Sequence, residues 1–499
     1  MKPPDAASYA ALTTALKKLP RKPAGDGPFR GRSAADLSAA TALPLATVRE
    51  LLPRAADEFH GRLEVTASGE ILYSFPQGFT SRYRGFSAVA ARVFDRAGRF
   101  LKSAGVLLFK VWIMVMLVGY FALFMLIALA AMVLSVAASS NSSGRSRRDS
   151  SGGLYLTSSI FNMIIRLWFY SELLGGGSRS RQRSRPASRP KKPLHRAIFS
   201  FVFGEGDPNR DWAGRRKKAL IAFLRSHRGV ISLPDFMSLS GLPPAEAEAE
   251  LLACCGEFGG SPEASDEGTI VYRFDELLVT PDRGADWGET AGLPMKLLRK
   301  FSSNEKSMNV WFGIINTVNL LFGGYFFFNA LGTGAVLSQE QFRQSSYLYG
   351  LTYYLSGQFV GNPLPLITVG LGLVPLAFSL FFWLIPALRA LWERRENERI
   401  KLENLRKAGF SRIWSQPLAV ESGDIQGPDP ACRPAALAAA QDKIIKEMGA
   451  YSVPDVAVGE TGNTVYTFRE LEREKAALEK YRAGIKTEEL GSTVFDTGA

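Results

Sequence analysis

DLSAATALPLATVRELLPRAADEFHGRLEVTASGEILYSF (Asp36 to Phe75) and DFMSLSGLPPAEAEAELLACCGEFGGSPEASDEGTIVYRF (Asp235 to Phe274) align without a gap at a constant offset of 199. Asp36, Leu37, Leu43, Pro44, Leu52, Glu58, Phe59, Gly61, Gly69, Ile71, Tyr73 and Phe75 meet identical or similar residues at Asp235, Phe236, Leu242, Pro243, Leu251, Glu257, Phe258, Gly260, Gly268, Ile270, Tyr272 and Phe274. Chance does not readily produce such a match, so the chain is read as carrying one small soluble module at least twice. Membrane-grade apolar sequence separates the copies.

Each copy reads as a short helix, a turn at Ala42-Leu43-Pro44 or Gly241-Leu242-Pro243, a second helix and a strand. Proline in a helix's first turn costs nothing, because its missing N–H would be unpaired there. In the strand, Ile71, Tyr73 and Phe75 alternate with Leu72, Ser74 and Pro76 after a turn at Gly69. With Tyr9 to Leu19 and Arg215 to Arg228 as a preceding helix, this order resembles a winged-helix domain. Leu43, Tyr73, Phe75, Leu242, Tyr272 and Phe274 are its expected core. Tyr466 and Phe468 join them through a weaker third echo, Gly462 to Leu471, which matches Gly268 to Leu277. Only the hairpin half of that copy is legible. An amphipathic helix, Ala435 to Met448, precedes it, and a long charged helix, Phe468 to Ala483, follows.

Winged helices that read DNA carry Arg, Lys, Asn or Gln on the second helix of the turn. Pro244 to Leu252 instead carries Glu246, Glu248 and Glu250 with no basic residue, and the first copy sets Arg49 and Arg54 against Glu50, Asp57 and Glu58. Phosphate would be repelled by the one and barely attracted by the other. An unidentified protein partner or intramolecular packing is expected, and nucleic acid is not.

At 499 residues and a formal net charge of +13, the chain is long enough for several domains. Its average hides a mosaic of apolar blocks (Val111 to Ala138, Met308 to Leu337, Leu364 to Leu388) and a basic, Ser/Arg-rich run, Arg179 to Arg196. Met1 to Leu19 has no basic region ahead of an apolar core, so the first apolar block is expected to do the targeting. Cys254, Cys255 and Cys432 supply neither a disulfide framework nor a CxxC pair, which fits a reducing compartment.

The second and third apolar blocks read as a transmembrane hairpin. Lys296, Arg299, Lys300 and Lys306 precede it, Arg389, Arg394, Arg395, Arg399 and Lys401 follow it, and Arg343 is the one basic residue of the loop between. Both outer ends are then cytoplasmic. The first block has basic residues on both sides, Arg82 to Lys102 and Arg145 to Arg148. Either Val106 to Ala138 dips in and returns, or the chain returns through Leu154 to Leu174, where Arg166 would cost about 2.5–3.5 kcal/mol at mid-membrane. The latter segment also has the one-sided apolar face of an interfacial helix.

Within the hairpin, Gly313, Asn316, Gly323 and Gly324 recur at helical spacing with Asn309, Asn319 and Asn329 nearby, a pattern for close helix packing. Tyr347, Tyr349, Tyr353 and Tyr354 read as interfacial anchors. In the linker, Arg179, Arg181, Arg183, Arg185, Arg189, Lys191 and Lys192 face anionic lipid headgroups, at about 1 kcal/mol per basic residue near the surface. Phe203-Gly204-Glu205-Gly206-Asp207-Pro208-Asn209 lacks the Gly-Lys-Ser/Thr ending of a phosphate loop, and Asp207 is expected to cap a helix starting at Pro208. This stretch, with the modules and spans around it, resembles a group of uncharacterised bacterial and plastid multi-span membrane proteins sharing Phe-Gly-x-Gly-(Asp/Asn)-Pro-Asn. The resemblance implies no catalytic residues. Plant members labelled for iron–sulfur assembly have no counterpart in the cysteine spacing here. His60, His195 and His227 stand apart from one another and from the cysteines, and no nucleophile, Walker or Rossmann pattern occurs in a suitable setting. No enzyme, metal or cofactor is expected.

The expected fold class is an α-helical membrane protein with small α+β, winged-helix-like cytoplasmic modules. Its domains are module 1 (1–86), a membrane region (87–178; span 106–138, second span or interfacial helix 154–174), a basic linker (179–200) and module 2 (201–290). A hairpin with a charged stalk helix (291–407; spans 308–337 and 364–388) and a partial module 3 with a C-terminal helix (408–499) complete it. The expected function is an interaction scaffold or regulator in the bacterial cytoplasmic membrane. A membrane-tethered DNA-binding regulator is the first alternative and a small transporter or channel subunit the second.

Overall fold

The computed structural model describes residues 6–18, 31–76, 79, 86–140, 192–279, 294–332, 347–428, 434–459, 462–485 and 493–497. The segment 154–174, the linker from Arg179 to Lys191 and Cys432 lie outside them. In chain order the elements are α1 (Ala6–Lys18), α2 (Ala34–Thr41), α3 (Leu45–Glu58), β1 (Arg62–Thr66), β2 (Ile71–Ser74), α4 (Phe86–Met114), α5 (Tyr120–Ser140), α6 (Leu194–Phe203) and α7 (Trp212–Ser226). Then come β3 (Val230–Ile231), α8 (Leu233–Ser240), α9 (Pro244–Phe258), β4 (Ser261–Ala264), β5 (Ile270–Arg273), α10 (Lys306–Gly332), α11 (Tyr347–Gly357) and α12 (Val374–Ser415). The chain ends with β6 (Val420–Glu421), α13 (Pro434–Tyr451), β7 (Asp455–Val458), β8 (Thr464–Thr467), α14 (Arg469–Gly484) and β9 (Thr493–Asp496). Two compact units result, one of residues 1–92, 208–298 and 396–499, the other of 93–207 and 299–395.

In the first unit, three hairpins share one pairing scheme. Tyr73 of β2 lies opposite Leu63 on one side and Arg32 on the other, Tyr272 of β5 opposite Pro262 and Ile231, and Tyr466 of β8 opposite Val456 and Val420. Before each hairpin stands a helix whose inner face has one period: Leu52, Ala55, Ala56 and Phe59 in the first, Leu251, Cys254, Cys255 and Phe258 in the second, Gln441, Ile444, Ile445 and Met448 in the third are all buried. Capping boxes start the preceding short helices. Ser33 and Asp36 serve α2, and Ser232 and Asp235 serve α8. Both helices stop at a left-handed residue, Ala42 (φ 60°) and Gly241 (φ 74°), and alanine is the costlier choice there.

The strands alternate in direction as expected, with Tyr272 and Phe274 entering one core and Val271 another, but burial does not follow that alternation. Leu72 and Val271 are fully buried, whereas Ile71 and Ile270 are 40 % and 60 % exposed. The reason is a second packing partner: Val271 sits with Val230 beneath Leu478 of α14, so both faces of that sheet are covered. The expected core residues Tyr73, Tyr272, Phe274 and Phe468 are buried. Leu43, Phe75, Leu242 and Tyr466 are half-buried against the same clusters. The first hairpin closes its own core, whereas the second and third share one continuous core that runs from Leu220 to Leu471.

Among the described residues three helical stretches are long and apolar enough to cross a membrane, Phe100–Leu134, Lys306–Gly332 and Leu366–Ser415, and the second unit takes in the last of them as far as Arg395. The helical path is unbroken from Phe86 to Ser140, with a π-turn at Val115–Gly119, so the dip-and-return route through Val106 to Ala138 is not taken. That run contains no proline to turn it. A second π-turn, Leu366–Leu373, leads into α12, whose Pro375 and Pro386 are carried within a continuous helix. Tyr349 is not an interfacial anchor: it is fully buried with Phe124, Phe326, Ala330 and Ile367, while Tyr354 is exposed.

Candidate functional site

Each capping-box carboxylate of the first unit does a second job. Normally the N3 carboxylate serves only its own helix start. Here Asp36 also accepts from the Arg225 guanidinium of α7 at 3.3 Å, with the two side chains only 3 % and 4 % exposed, while Ser33 Oγ donates to the Val279 carbonyl at 2.6 Å. Asp235, likewise buried, accepts from Trp414 Nε1 at 2.8 Å and from Arg482 Nη2 at 2.6 Å. Arg482 also donates to the Val230 carbonyl at 2.9 Å. Arg228 donates in turn to the carbonyls of Arg482, Ala483 and Ile485, placing a cation at the negative end of α14. Neighbouring segments are thus joined in series, each short helix receiving side chains from the next segment along.

The second helices of the three segments lie side by side, with α9 in contact with α3 and α13. Each is tied to the long helix that opens its segment: Tyr9 of α1 donates to Glu58 at 2.5 Å, Lys217 of α7 pairs with Glu257 at 2.5 Å, and Arg406 of α12 with Glu447 at 2.9 Å. Arg49, one of the two basic residues of α3, pairs with Glu276 at 2.9 Å, and the other, Arg54, lies over the Tyr9 ring. The outward side of α9 presents Glu246 and Glu248. Cys254 and Cys255 face inward from it, and burial pushes both thiols up to about 11, which makes them inert packing groups.

Two adjoining open clefts of about 920 and 620 Å³ lie beside α14. The larger is lined by Glu267, Ile270, Tyr451, Arg473, Glu474 and Lys480, the smaller by Ser265, Arg273 and Tyr481 among others. Tyr451 Oη donates to both oxygens of Glu474 (3.0 and 3.1 Å). Burial, aided by the charge of Asp235 and opposed by that hydrogen bond, pushes the Glu474 carboxyl up to about 7. Because the folded chain holds this proton more tightly than the unfolded chain, stability is fullest below pH 4.5 and falls as pH rises through about 7. Glu474→Gln should remove that slope and raise stability at pH 8 by about 1–2 kcal/mol. Melting temperatures of both proteins from pH 4.5 to 8.5 check this, and parallel curves would refute it.

In the second unit the expected packing positions are used unequally. A Cβ added at Gly323 would lie 2.9 Å from the Leu376 backbone nitrogen, and one at Gly313 3.0 Å from the Trp383 ring, whereas Gly324 has nothing nearer than 3.9 Å. Asn316 Nδ2 donates to the Ser379 carbonyl at 2.9 Å and Asn319 Nδ2 to the Leu117 carbonyl at 2.8 Å, tying α10 to both other apolar helices. Tyr120 Oη reaches the Gly370 carbonyl of the second π-turn at 2.9 Å.

The Phe203 to Asn209 stretch is a tie between segments and not a helix cap. Asp207 pairs with Arg299 at 2.7 Å, and α7 starts only at Trp212, because the carboxylate expected to cap it is already engaged. Glu205 accepts from Lys192 at 2.7 Å and also from Ser200 and Ser303, which together hold its carboxyl down at about 2 against the opposing effect of burial. Lys192, expected to face lipid headgroups, is the one residue of that set within the described residues, and it is committed to Glu205. His227 stacks on Phe223 with ring centroids 3.9 Å apart. Among the described residues no group of three His, Cys, Asp or Glu side chains is placed to hold a metal ion.

The chain is 24 % identical over 408 residues to an uncharacterised chloroplastic protein of Arabidopsis thaliana, an alignment covering 77 % of this chain and 69 % of that protein. No family model and no solved structure matches it.

Proposed function

We propose that this chain is a multi-pass membrane scaffold or regulator, without enzymatic activity, that displays three winged-helix modules fused in series on the cytoplasmic face. The observation that carries the reading is the placement of α9 between α3 and α13 with Glu246 and Glu248 outward. A winged helix that reads DNA must offer its second helix free and cationic to the major groove, and this one is flanked and acidic. What the fused modules do offer is a rigid, charged surface suited to another protein. The resemblance to uncharacterised bacterial and plastid membrane proteins and the three long apolar helices support a membrane location, for which we take the bacterial cytoplasmic membrane; the Arabidopsis thaliana relative is named chloroplastic.

The test uses the full chain in nanodiscs. Fluorescence anisotropy against a random double-stranded DNA pool at physiological salt should show no sequence-specific retention, while proximity labelling in the native cell should enrich a reproducible protein neighbour. Retention of a specific DNA sequence would overturn the proposal in favour of a membrane-tethered regulator. Reporter fusions at residues 28 and 285 should both be active in the compartment of synthesis, and opposite compartments would break the topology.

A further inference from the structure

Asn316, Asn319 and Ser379 are each fully buried in the second unit, and Asn316 Oδ1, Asn319 Oδ1 and Ser379 Oγ have no hydrogen-bond partner among the described residues. Amide orientation does not explain this away. Each asparagine nitrogen is held by a backbone carbonyl, Ser379 at 2.9 Å and Leu117 at 2.8 Å, and a carbonyl can only be met by the N–H end. The oxygen ends are therefore fixed, and what remains over is a layer of three buried oxygens, two amide acceptors and one hydroxyl, without a partner among the described residues.

The layer has a defined depth. Asn316 and Asn319 stand about 15–20 Å along α10 from Lys306, Ser379 stands at a similar distance past Leu366, and Leu117 lies midway along Phe100–Leu134. Three helices thus bring their polar atoms to one level near the middle of their apolar lengths. The contact of Gly313 with Trp383 lies on one side of it along α10 and that of Gly323 with the Leu376 backbone on the other. Apolar surroundings of this kind leave a bare carbonyl-type oxygen with nothing to replace water.

We infer that this layer is a binding site for a small alkali cation, with the amide oxygens of Asn316 and Asn319 and the Ser379 hydroxyl replacing part of its hydration shell. Only a monovalent ion suits it: Val111 to Ala138, Met308 to Gly332 and Leu364 to Leu388 carry no carboxylate to compensate a divalent charge. The inference rests on the membrane reading above, since it needs a site shielded from water by lipid.

The experiment measures melting of the full chain in nanodiscs in sodium, lithium or potassium chloride against N-methyl-D-glucamine chloride at matched ionic strength, together with retention of radioactive sodium. A saturable rise of a few degrees with one small alkali cation is expected, and about a tenfold loss of apparent affinity in Asn316→Leu and Asn319→Leu. Ser379→Ala removes only an unpartnered hydroxyl, so it should weaken the effect without disturbing the fold even if the asparagine variants fail to assemble. Cation-indifferent melting without sodium retention would mean ordered water only and would overturn the site, as would a sodium effect that survives all three substitutions. Alkaline carbonate extraction of the same membranes separates the two failures. A chain that stays in the membrane without a cation response loses the site alone, whereas a chain released by carbonate loses the membrane reading.

Discussion

Asp235→Ala is expected to destabilise the first unit by about 3–5 kcal/mol, the cost of leaving a buried cation without its counter-charge. Three losses coincide at that position. The carboxylate that caps α8 disappears, which alone is worth about 1 kcal/mol. Trp414 Nε1 loses its acceptor, and Arg482, only 16 % exposed, keeps its charge with no carboxylate beside it. Arg482→Met in the same background should recover about half of the loss by removing that stranded charge, a non-additivity expected of residues in one network. Arg49→Ala supplies the contrast: Arg49 and Glu276 are 46 % and 44 % exposed, so breaking their pair should cost well under 1 kcal/mol. Denaturant unfolding of the full chain, followed by tryptophan fluorescence, checks all three, and equal small losses for Asp235→Ala and Arg49→Ala would mean that Asp235 does not join the segments.

Why Asp235 was legible only as half of this node is instructive. Its alignment with Asp36 and its place three residues after a serine are local signals, and they locate the capping box. Trp414 and Arg482 lie 179 and 247 residues away, on helices whose own periodicity says nothing about which carboxylate they reach. The same limit produced the mistaken cap at Asp207. The local pattern of an acidic residue before proline is real, but Arg299, which holds that carboxylate at 2.7 Å, comes from a distant segment.

The third hairpin shows a different obstacle. Its sheet repeats the second at an offset of 194, as Tyr272 and Tyr466 show, whereas its preceding helix repeats at 190, as Phe258 and Met448 show. Extra residues between Met448 and Val456 break an ungapped comparison there, so the hairpin is visible and the helix drops out. The short helix shrinks as well: Ser422–Asp424 is a single 3₁₀ turn, although Glu421 and Asp424 keep the capping box. The long apolar helices needed no such care, since an uncharged run long enough to cross a bilayer declares itself by length. The π-turns that bring the Leu117 and Gly370 carbonyls within reach of Asn319 and Tyr120 left no mark in the sequence.

Gly323→Leu should be the most damaging single change in the second unit, at about 3 kcal/mol or more, because the atoms it meets cannot step aside. A Cβ there would stand 2.9 Å from the Leu376 nitrogen and 3.2 Å from its Cα, and the facing Gly372 would place its own Cβ 2.9 Å from the Phe327 Cα. Two backbones approach where both helices are stripped to hydrogen, the arrangement by which apolar helices gain contact when water no longer drives them together. A leucine side chain would force α10 and the second π-turn apart, and the Asn316 bond to Ser379 would lengthen with them. Gly324→Leu, one residue on, meets only the Leu376 and Phe328 side chains at 3.9 Å and should cost under about 1 kcal/mol, since flexible side chains repack. Yield of monodisperse protein in detergent and its melting temperature distinguish the two. A Gly324 variant more damaged than the Gly323 variant would mean that α10 presents a different face to its neighbours, and the acceptor layer around Asn316 and Asn319 would have to be rebuilt with it.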